Sequence, residues 1–263
     1  MTARRAANDA VILLAAGRGS RMEGAVGDKI LAPVHGRPLF SYSLEAFAAA
    51  GSLGVFVVVH RDSAQRAALE EAVAAVAGAD PRQMRWTRGG ATRGESVCRG
   101  LEKVPDGTRT VFIHDCARPL VRPETIAELG RLAREDGAAC LARRISDTVK
   151  RVPGAEGATR RLHLEDVERD RLWTAETPQA FECGRIRRAY EAVRKQGLPV
   201  TDDAGAVTLA GFPVTLLETP YPNPKLTRPG DLPVITCLLG ERNPGRQPAG
   251  QAFRSRPPGR AGA

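Results

Sequence analysis

A run of small residues and arginines at positions 15–22 (AAGRGSRM), with Lys29 shortly downstream, is the first feature that could do chemistry. Glycines in such a run let backbone N–H groups approach a phosphate closely, and Arg21 and Lys29 would supply positive charge beside it. The run is not a dinucleotide fingerprint, which needs a third glycine where Met22 stands, nor a Walker loop, which ends in Gly-Lys-Ser/Thr. An ordinary glycine-rich turn with solvated arginines is the alternative interpretation.

An alternation of strands and helices would have to position this loop. Short apolar runs predict strands, and helical spacing of apolar residues predicts helices between them. The strands are predicted at 11–15, 55–59, 84–86, 110–114 and 138–142, and the helices at 39–50, 64–77, 95–103 and 123–135. Because several strands are apolar throughout, they indicate the α/β class, with a Rossmann-like, mostly parallel sheet flanked by helices. Ligands of such sheets bind beyond the carboxyl ends of the strands.

The pattern changes after residue 142. Two polar, alternating segments at 145–152 and 161–167 flank a turn with Pro153, Gly154 and Gly157, which predicts a protruding β-hairpin arm at about 145–170. A two-stranded ribbon is only marginally stable in water, so we expect the arm to pack on a second copy and form a homodimer. Further elements are predicted as helices at 184–196 and 202–210, a strand at 214–218 and a helix near 229–239.

Composition and charge narrow the function classes. The chain has 263 residues and a net charge of +9, of which residues 241–263 carry +4, leaving +5 for the rest. This Pro-, Gly- and Arg-rich end predicts a disordered basic tail at 243–263, and we expect a flexible lead-in at 1–9 and one domain at 10–242. An aromatic content of 5% argues against a nucleic-acid partner, and no apolar stretch approaches the about 20 residues that cross a membrane. Five cysteines without metal-ligand spacing favour the reducing cytoplasm.

Six later segments narrow the interpretation of the loop, which itself resembles the signature of nucleotidyltransferases. In order and separation they are similar to those of the 2-C-methyl-D-erythritol 4-phosphate cytidylyltransferase family, over roughly residues 11 to 239. The segments are GGATRGESV (89–97), HDCARP (114–119), SDTVKR (146–151), TPQAF (177–181), TDDAGAV (201–207) and KLTRPGDL (225–232). The resemblance implies transfer of CMP from CTP to 2-C-methyl-D-erythritol 4-phosphate in the non-mevalonate isoprenoid pathway, giving 4-diphosphocytidyl-2-C-methyl-D-erythritol and pyrophosphate.

The resemblance also implies roles for individual residues, and Mg²⁺ or another divalent cation as cofactor. The catalytic cations would be Arg21, Lys29, Arg169 and Lys225. CTP would be bound by Ala15, Ala16, Gly17, Gly19, Gly90, Arg93 and Ser96. The acceptor would be bound by Asp115, Arg118, Thr148 and Thr177, with Asp115 also a metal ligand. Arg169 and one of the threonines would reach across the dimer interface, Pro178 would fix a turn near the substrate, and His114 is expected to be structural.

No general base is expected, because a phosphate monoester loses its second proton near pH 6 and is largely dianionic at pH 7. What the reaction needs is cations that bring two mutually repelling anions together in line.

Several residues depart from the family pattern. Asp28 stands where Pro usually precedes the lysine, the loop from Arg21 to Lys29 is one residue longer, and Cys116, Pro224 and Gly230 are also unusual. These departures leave open another acceptor, such as ribitol 5-phosphate. A more distant alternative is a nicotinamide-dependent oxidoreductase, although the strand at 55–59 ends in His-Arg and not in an acidic residue. A noncatalytic nucleotide-binding module is a third alternative, which would need a use for the basic tail.

Overall fold

The computed structural model describes residues 8–17, 19–22, 27–152, 164–197 and 199–242. Strands and helices alternate along much of this part of the chain. The strands are β1 (Asp9–Leu14), β2 (Pro33–Val34), β3 (Arg37–Pro38), β4 (Leu53–His60), β5 (Met84–Arg88), β6 (Thr110–Asp115), β7 (Ala138–Arg144), β8 (Val149–Arg151), β9 (Glu165–Val167), β10 (Trp173–Glu182) and β11 (Thr215–Glu218). The α-helices are α1 (Leu39–Ala49), α2 (Ser63–Ala74), α3 (Arg93–Leu101), α4 (Pro123–Asp136), α5 (Cys183–Gln196), α6 (Asp203–Leu209) and α7 (Asp231–Arg242), with 3₁₀ turns at Ser20–Met22 and Pro81–Gln83.

Seven strands form one mixed sheet in the order β11-β7-β10-β6-β1-β4-β5. β1 pairs in parallel with β4 and β6, and β4 pairs in parallel with β5. β10 is antiparallel to both of its neighbours, β6 and β7. The carboxyl ends of β1, β4, β5 and β6 therefore open on one edge of the sheet. The predicted α/β class with a mostly parallel sheet is confirmed.

Helices cover both faces of the sheet, and alternate side chains of β1 pack into the two apolar layers between the sheet and these helices. Val11 and Leu13 belong to the layer that includes Phe47 of α1 and residues of α2, α4 and α7. Ala10 and Ile12 belong to the opposite layer, which includes residues of α3, α5 and α6. Full burial of such side chains contributes about 1.5–3 kcal/mol each, so the two layers hold the strand ends in fixed positions.

The ten-residue strand β10 was not predicted. The segment TPQAF was expected to form a turn fixed by Pro178, but Pro178 lies inside β10. The pairing of β10 with β7 shifts register between Ala175 and Gln179, and a proline is tolerated at such an irregularity because no ladder N–H is required there. The expectation of a turn was therefore wrong.

The start of α3 is set by a cap, and the prediction placed this start too late. α3 begins at Arg93, two residues before its predicted start, because the Thr92 hydroxyl accepts a hydrogen bond from the Glu95 backbone N–H at 3.1 Å. Glu95 in turn accepts one from the backbone N–H of Ala91 at 2.8 Å. This arrangement resembles a capping box, and the sequence Thr-x-x-Glu could have indicated it.

The two strands of the predicted arm, β8 and β9, pair antiparallel from Val149 with Val167 to Arg151 with Glu165. The predicted turn with Pro153, Gly154 and Gly157 lies outside the described residues, as do most of the lead-in at 1–9 and the tail at 243–263. Asp9, assigned to the lead-in by the sequence, is the first residue of β1. Among the described residues, no helix has the length and apolar character needed to span a membrane.

Candidate active site

A cleft of about 940 Å³ opens at the carboxyl edge of β1, β4, β5 and β6. Among the described residues that line it, cations greatly outnumber the single carboxylate, Asp115. The cations are Arg21, Lys29, Arg61, Arg88, Arg93, Arg99 and Lys225. An excess of positive charge in a concave site favours polyanionic ligands, and its volume is in the range of small-molecule sites.

The glycine-rich loop forms the floor of the cleft directly after β1. Ala16, Gly17 and Gly19 line it, and a Cβ atom built on Gly17 meets no described atom within 4 Å, so the backbone there is open to a ligand. Gly19 adopts a φ of +64°, in the left-handed region that favours glycine. Ala15, in contrast, is fully buried, and its backbone N–H donates to the Val59 carbonyl at 2.9 Å. Its side chain therefore does not reach the cleft.

Lys29 lies beside this floor, despite the longer loop before it, because its Cδ is 3.4 Å from a Cβ atom built on Gly19. Its ammonium group donates to the backbone carbonyl of Leu226 at 3.1 Å. Burial and the nearby charge of Lys225 lower the pKa of Lys29, and the opposing attraction of Asp115 is smaller. Its charge has no bonded carboxylate partner among the described residues, because Asp28 directs its carboxylate to Ile30, Gln65 and Arg61.

Asp115 ends β6 and is nearly buried between two cations. Its Oδ1 accepts from the Arg93 Nε at 3.2 Å, and its Oδ2 accepts from the Lys225 ammonium. Burial alone would raise the pKa of Asp115, but Arg93 and Lys225 outweigh it and hold the pKa well below its ordinary value. Asp115 is thus a carboxylate at any physiological pH.

Arg93 is held by a second carboxylate that lies behind the cleft. Its two terminal nitrogens donate to Asp203 at 3.1 and 2.8 Å, a bidentate pair, and Asp203 is completely buried. Tyr190 also donates to Asp203, at 2.5 Å. Burial works against the charged form of Arg93, but Asp203 and Asp115 raise its pKa. Residues 110 positions apart in the sequence therefore fix one cleft cation.

The β5–α3 segment forms the far side of the cleft. Gly90 donates its backbone N–H to the Ser96 hydroxyl at 3.1 Å, and that hydroxyl donates to the Thr92 carbonyl at 2.9 Å. A Cβ atom on Gly89 would lie 2.6 Å from Cβ of Ala16, so close packing of this segment on the loop requires glycine. Ser96 is therefore a buried structural link as well as a cleft residue.

Directly beneath Asp115, the protein is sealed and uncharged. His114 is fully buried, with its Nε2 3.1 Å from the Ser43 hydroxyl and its Nδ1 3.3 Å from the Thr177 hydroxyl. Burial lowers the pKa of His114 to about 3. The Thr177 hydroxyl also accepts from the Asp115 backbone N–H at 3.1 Å. These contacts fit the structural role expected of His114.

Besides Ala15, four predicted site residues do not line the cleft of this chain. Thr177 lies behind Asp115, and Arg118 is largely buried and donates to the Asn223 carbonyl at 2.7 Å. Thr148 and Arg169 are exposed near β8 and β9, where Arg169 donates to the Ser146 carbonyl. Within one copy, the expected cluster therefore separates into a cleft group and an arm group.

Other cleft residues were missed by the sequence predictions. Arg61 directly follows β4, Arg88 ends β5, Arg99 lies one turn after Ser96 on α3, and Thr227 follows Lys225. The signal for the first two was their place at carboxyl ends of parallel strands. No local signal could have indicated Asp203 as the partner of Arg93, because that contact exists only in the folded chain.

The same conclusion about family comes from comparison with known proteins. A family model described as 2-C-methyl-D-erythritol 4-phosphate cytidylyltransferase matches residues 10–241. The chain belongs to this family. A cytidylyltransferase of that name from Synechococcus sp. (strain WH7803) is 38% identical over 232 residues, covering 88% of this chain and 99% of the relative.

Two solved structures share the fold of this chain. The cytidylyltransferase of Thermus thermophilus is 30% identical with a TM-score of 0.68, covering 87% of this chain and 97% of the other. The 4-diphosphocytidyl-2C-methyl-D-erythritol synthase of Anaerococcus prevotii has a TM-score of 0.74 at 23% identity, covering 88% and 97%, and supports the fold. Family membership leaves the oxidoreductase and noncatalytic alternatives without support.

Among the departures from the cytidylyltransferase family, Cys116 is explained by packing. It is completely buried, and burial raises the pKa of its thiol well above the ordinary value. A neutral buried thiol behaves as a small apolar side chain. Cys116 is therefore compatible with the neighbouring Asp115 site.

Proposed function

We propose that the chain transfers CMP from CTP to 2-C-methyl-D-erythritol 4-phosphate, in the synthesis of isoprenoid precursors. An oxygen of the acceptor phosphate forms a bond to the α-phosphorus of CTP, the bond from that phosphorus to the β-phosphate oxygen breaks, and pyrophosphate leaves. The observation that carries the proposal is the cation-rich cleft at the carboxyl edge of the sheet, in a chain of this family.

Two groups of cations would divide the work. Arg21 and Lys29, beside the open backbone of Gly17, would hold the triphosphate and stabilise the charge that develops at the α-phosphorus. Lys225, which bonds to Asp115 and directly precedes Leu226, the hydrogen-bond partner of Lys29, would hold the attacking phosphate. The reaction requires no general base, since the attacking phosphate is already largely deprotonated at pH 7.

A divalent cation such as Mg²⁺ fits this site if the substrates supply most of its ligands. The described residues contain no cluster of three or more His, Cys, Asp or Glu that could hold a metal. Asp115 nevertheless offers an ionised carboxylate at the cleft, and Mg²⁺ commonly binds one or two carboxylates together with phosphate oxygens. Bound there, the ion would neutralise phosphate charge, while Arg93 and Lys225 orient the carboxylate.

We also infer that the arm completes the site of a second copy in a homodimer. Thr148 and Arg169 are exposed and lie away from the cleft of their own chain, although the resemblance assigns them to the acceptor. Leu164, next to β9, exposes 55% of its surface. Covering such a side chain with the partner's arm would bury apolar surface.

A cytoplasmic location is part of the same proposal, and it is supported by the five cysteines all being free thiols.

A pyrophosphate-release assay tests the proposed function directly. The four nucleoside triphosphates are each combined with 2-C-methyl-D-erythritol 4-phosphate, ribitol 5-phosphate or no acceptor, with and without Mg²⁺. We expect release to be fastest with CTP, the methylerythritol acceptor and Mg²⁺. A higher kcat/KM with ribitol 5-phosphate would assign the other acceptor, and no release from any pair would contradict the proposal.

A further inference from the structure

Asp28, the residue that replaces the family's usual proline, shapes the turn that carries Lys29. Its Oδ1 accepts from the backbone N–H of Ile30 at 3.0 Å, and its backbone carbonyl accepts from Leu31 at 3.2 Å. An aspartate that binds the backbone two residues ahead fixes a turn by hydrogen bonding, where proline would fix it by its ring. The side chain of Asp28 is only 10% exposed, so this bond is protected from water.

Gln65 connects that turn to the glycine-rich loop. It is 2% exposed, and its side-chain amide donates to Oδ2 of Asp28 at 2.7 Å and to the backbone carbonyl of Ala15 at 3.1 Å. Its carbonyl oxygen accepts from the backbone N–H of Arg61 at 2.6 Å. One buried amide thus joins the end of β1, the Lys29 turn and the end of β4. A buried amide that uses its donors and its acceptor in this way holds its partners in one arrangement.

Arg61 closes the connection from the cleft side. Its guanidinium lies 3.1 Å from Oδ2 of Asp28 and 2.9 Å from Asp62, and it lines the cleft. The carboxylate of Asp28 is therefore engaged by Ile30, Gln65 and Arg61. Within the described part of the chain, this leaves the Lys29 ammonium without a bonded carboxylate, and it donates to the Leu226 carbonyl.

We propose that Asp28 and Gln65 act as one positioning unit, which fixes the Lys29 turn against the glycine-rich loop so that the ammonium group meets the α-phosphate. The inference rests on the proposed function for the role of Lys29, but the connection itself is a property of the folded chain. Neither residue touches the substrate in this account. Their effect on the reaction passes through the position of Lys29, and a displacement of about 1 Å at a reacting group can cost about 100-fold in rate.

The test uses the full-length enzyme with Asp28→Ala, Gln65→Ala and the double variant. We expect each single change to lower kcat by at least about tenfold while KM for CTP changes by less than about threefold. Because the two residues act as one unit, the double variant should be no more than about twofold slower than the slower single variant. Asp28→Asn, which retains an oxygen for the Ile30 N–H, should recover part of the lost rate.

Asp80→Ala is the matched control, because Asp80 also pairs with an arginine, Arg82, and caps the 3₁₀ turn at Pro81–Gln83 by accepting from the Arg82 backbone N–H at 2.9 Å, and it does not line the cleft. It removes the same charge and a helix cap without touching the Lys29 turn. We expect its kcat to stay within about twofold of the natural enzyme, even though its thermal stability falls. Equal loss of kcat in this control would assign the effect to loosening of the fold and overturn the proposal.

Hydrogen–deuterium exchange separates this proposal from the proposed function. Exchange at the Ile30 and Leu31 amides should rise in Asp28→Ala and Gln65→Ala but not in Asp80→Ala. An unchanged exchange rate there, a kcat within about twofold in both single variants, or losses that multiply in the double variant would each overturn the positioning unit. If the natural enzyme released no pyrophosphate at all, the proposed function would fail, whereas the exchange result would still report on the connection.

Discussion

Two adjacent walls of the cleft, which meet where Lys29 donates to the carbonyl of Leu226 next to Lys225, treat their charges in opposite ways. On one wall, the Asp115 carboxylate faces the cleft and is already bonded to Arg93 and Lys225. On the other wall, the carboxylate of Asp28 binds Ile30, Gln65 and Arg61, and the Lys29 ammonium has no bonded carboxylate among the residues that the structure describes. One wall therefore carries a carboxylate paired with two cations, and a metal ion or a phosphate could replace one of these partners. The other wall holds in place a cation with no carboxylate bonded to it among the described residues.

Because of this difference, the reaction should depend more on the positive charge of one wall than on that of the other. An ammonium group without a carboxylate partner gives its full attraction to an incoming phosphate, and burial strengthens that attraction by excluding water. A carboxylate between two cations is better suited to orient ligands than to add net charge. We therefore expect chemistry to depend most on Lys29, less on Asp115, and still less on the residues behind them.

Lys29→Ala should break the wall with the unpaired cation and have the largest effect. We expect kcat to fall by about 1,000-fold or more, because charge developing at the α-phosphorus loses its preorganised partner. The Kd for CTP should rise by less than about tenfold, since the other cations of the cleft remain. Pyrophosphate release and calorimetric titration measure the two effects. Lys29→Arg should recover part of the rate, and an alanine variant with near-normal kcat would remove Lys29 from the mechanism.

Asp115→Asn should break the paired wall and cost less, about 100-fold in kcat. The amide keeps the shape of the side chain but loses the charge that holds Arg93 and Lys225 and that would bind Mg²⁺. The Mg²⁺ concentration needed for half-maximal rate should also rise. A titration of the rate with Mg²⁺ measures this, and an unchanged Mg²⁺ dependence would argue against Asp115 as a metal ligand.

Asp203→Asn should weaken the paired wall indirectly, because it removes the buried carboxylate that holds Arg93. Loss of the buried bidentate pair should destabilise the fold by about 3 kcal/mol and reduce kcat by about tenfold, as Arg93 no longer fixes Asp115. Tyr190→Phe is the matched control, because it removes only the hydroxyl bond to the same carboxylate. We expect that control to retain kcat within about threefold in the same assay. Equal losses in the two variants would show that the charge of Asp203 is not what matters.

His114→Gln, in the buried layer beneath the cleft, should have almost no effect on kcat but a distinct effect on how stability depends on pH. The pKa of His114 is about 3 in the folded chain and about 6.5 when unfolded, so between these values only the unfolded chain takes up the proton. Stability from this group is present above pH 6.5 and lost as the pH falls, by about 2 kcal/mol at pH 5. Between pH 7.5 and pH 5, the free energy of unfolding measured in urea should fall by about 2 kcal/mol less in His114→Gln than in the natural enzyme. Equal losses would mean that His114 is not held neutral.

The apolar strands and their alternation with helices could be predicted from sequence, because burial of a strand on both faces leaves a continuous run of apolar residues. β10 could not, because its buried polar residues are satisfied by distant partners, as Gln179 is by Asp202 at 2.8 Å. The same limit applies to the site. The glycine-rich loop and Lys29 carry a local signature, whereas Gln65 and Asp203 gain their roles only when residues far apart in the chain meet.

A crystal structure of the enzyme with Mg²⁺, a non-hydrolysable CTP analogue and the acceptor phosphate would show directly whether Lys29 and Arg21 hold the α-phosphate. We predict that Lys29 Nζ and the Arg21 guanidinium lie within about 3.5 Å of α-phosphate oxygens, with the acceptor phosphate opposite the leaving pyrophosphate and beside Lys225. A triphosphate bound elsewhere in the cleft, with Lys29 still on the Leu226 carbonyl and no room for the acceptor in line, would contradict the account.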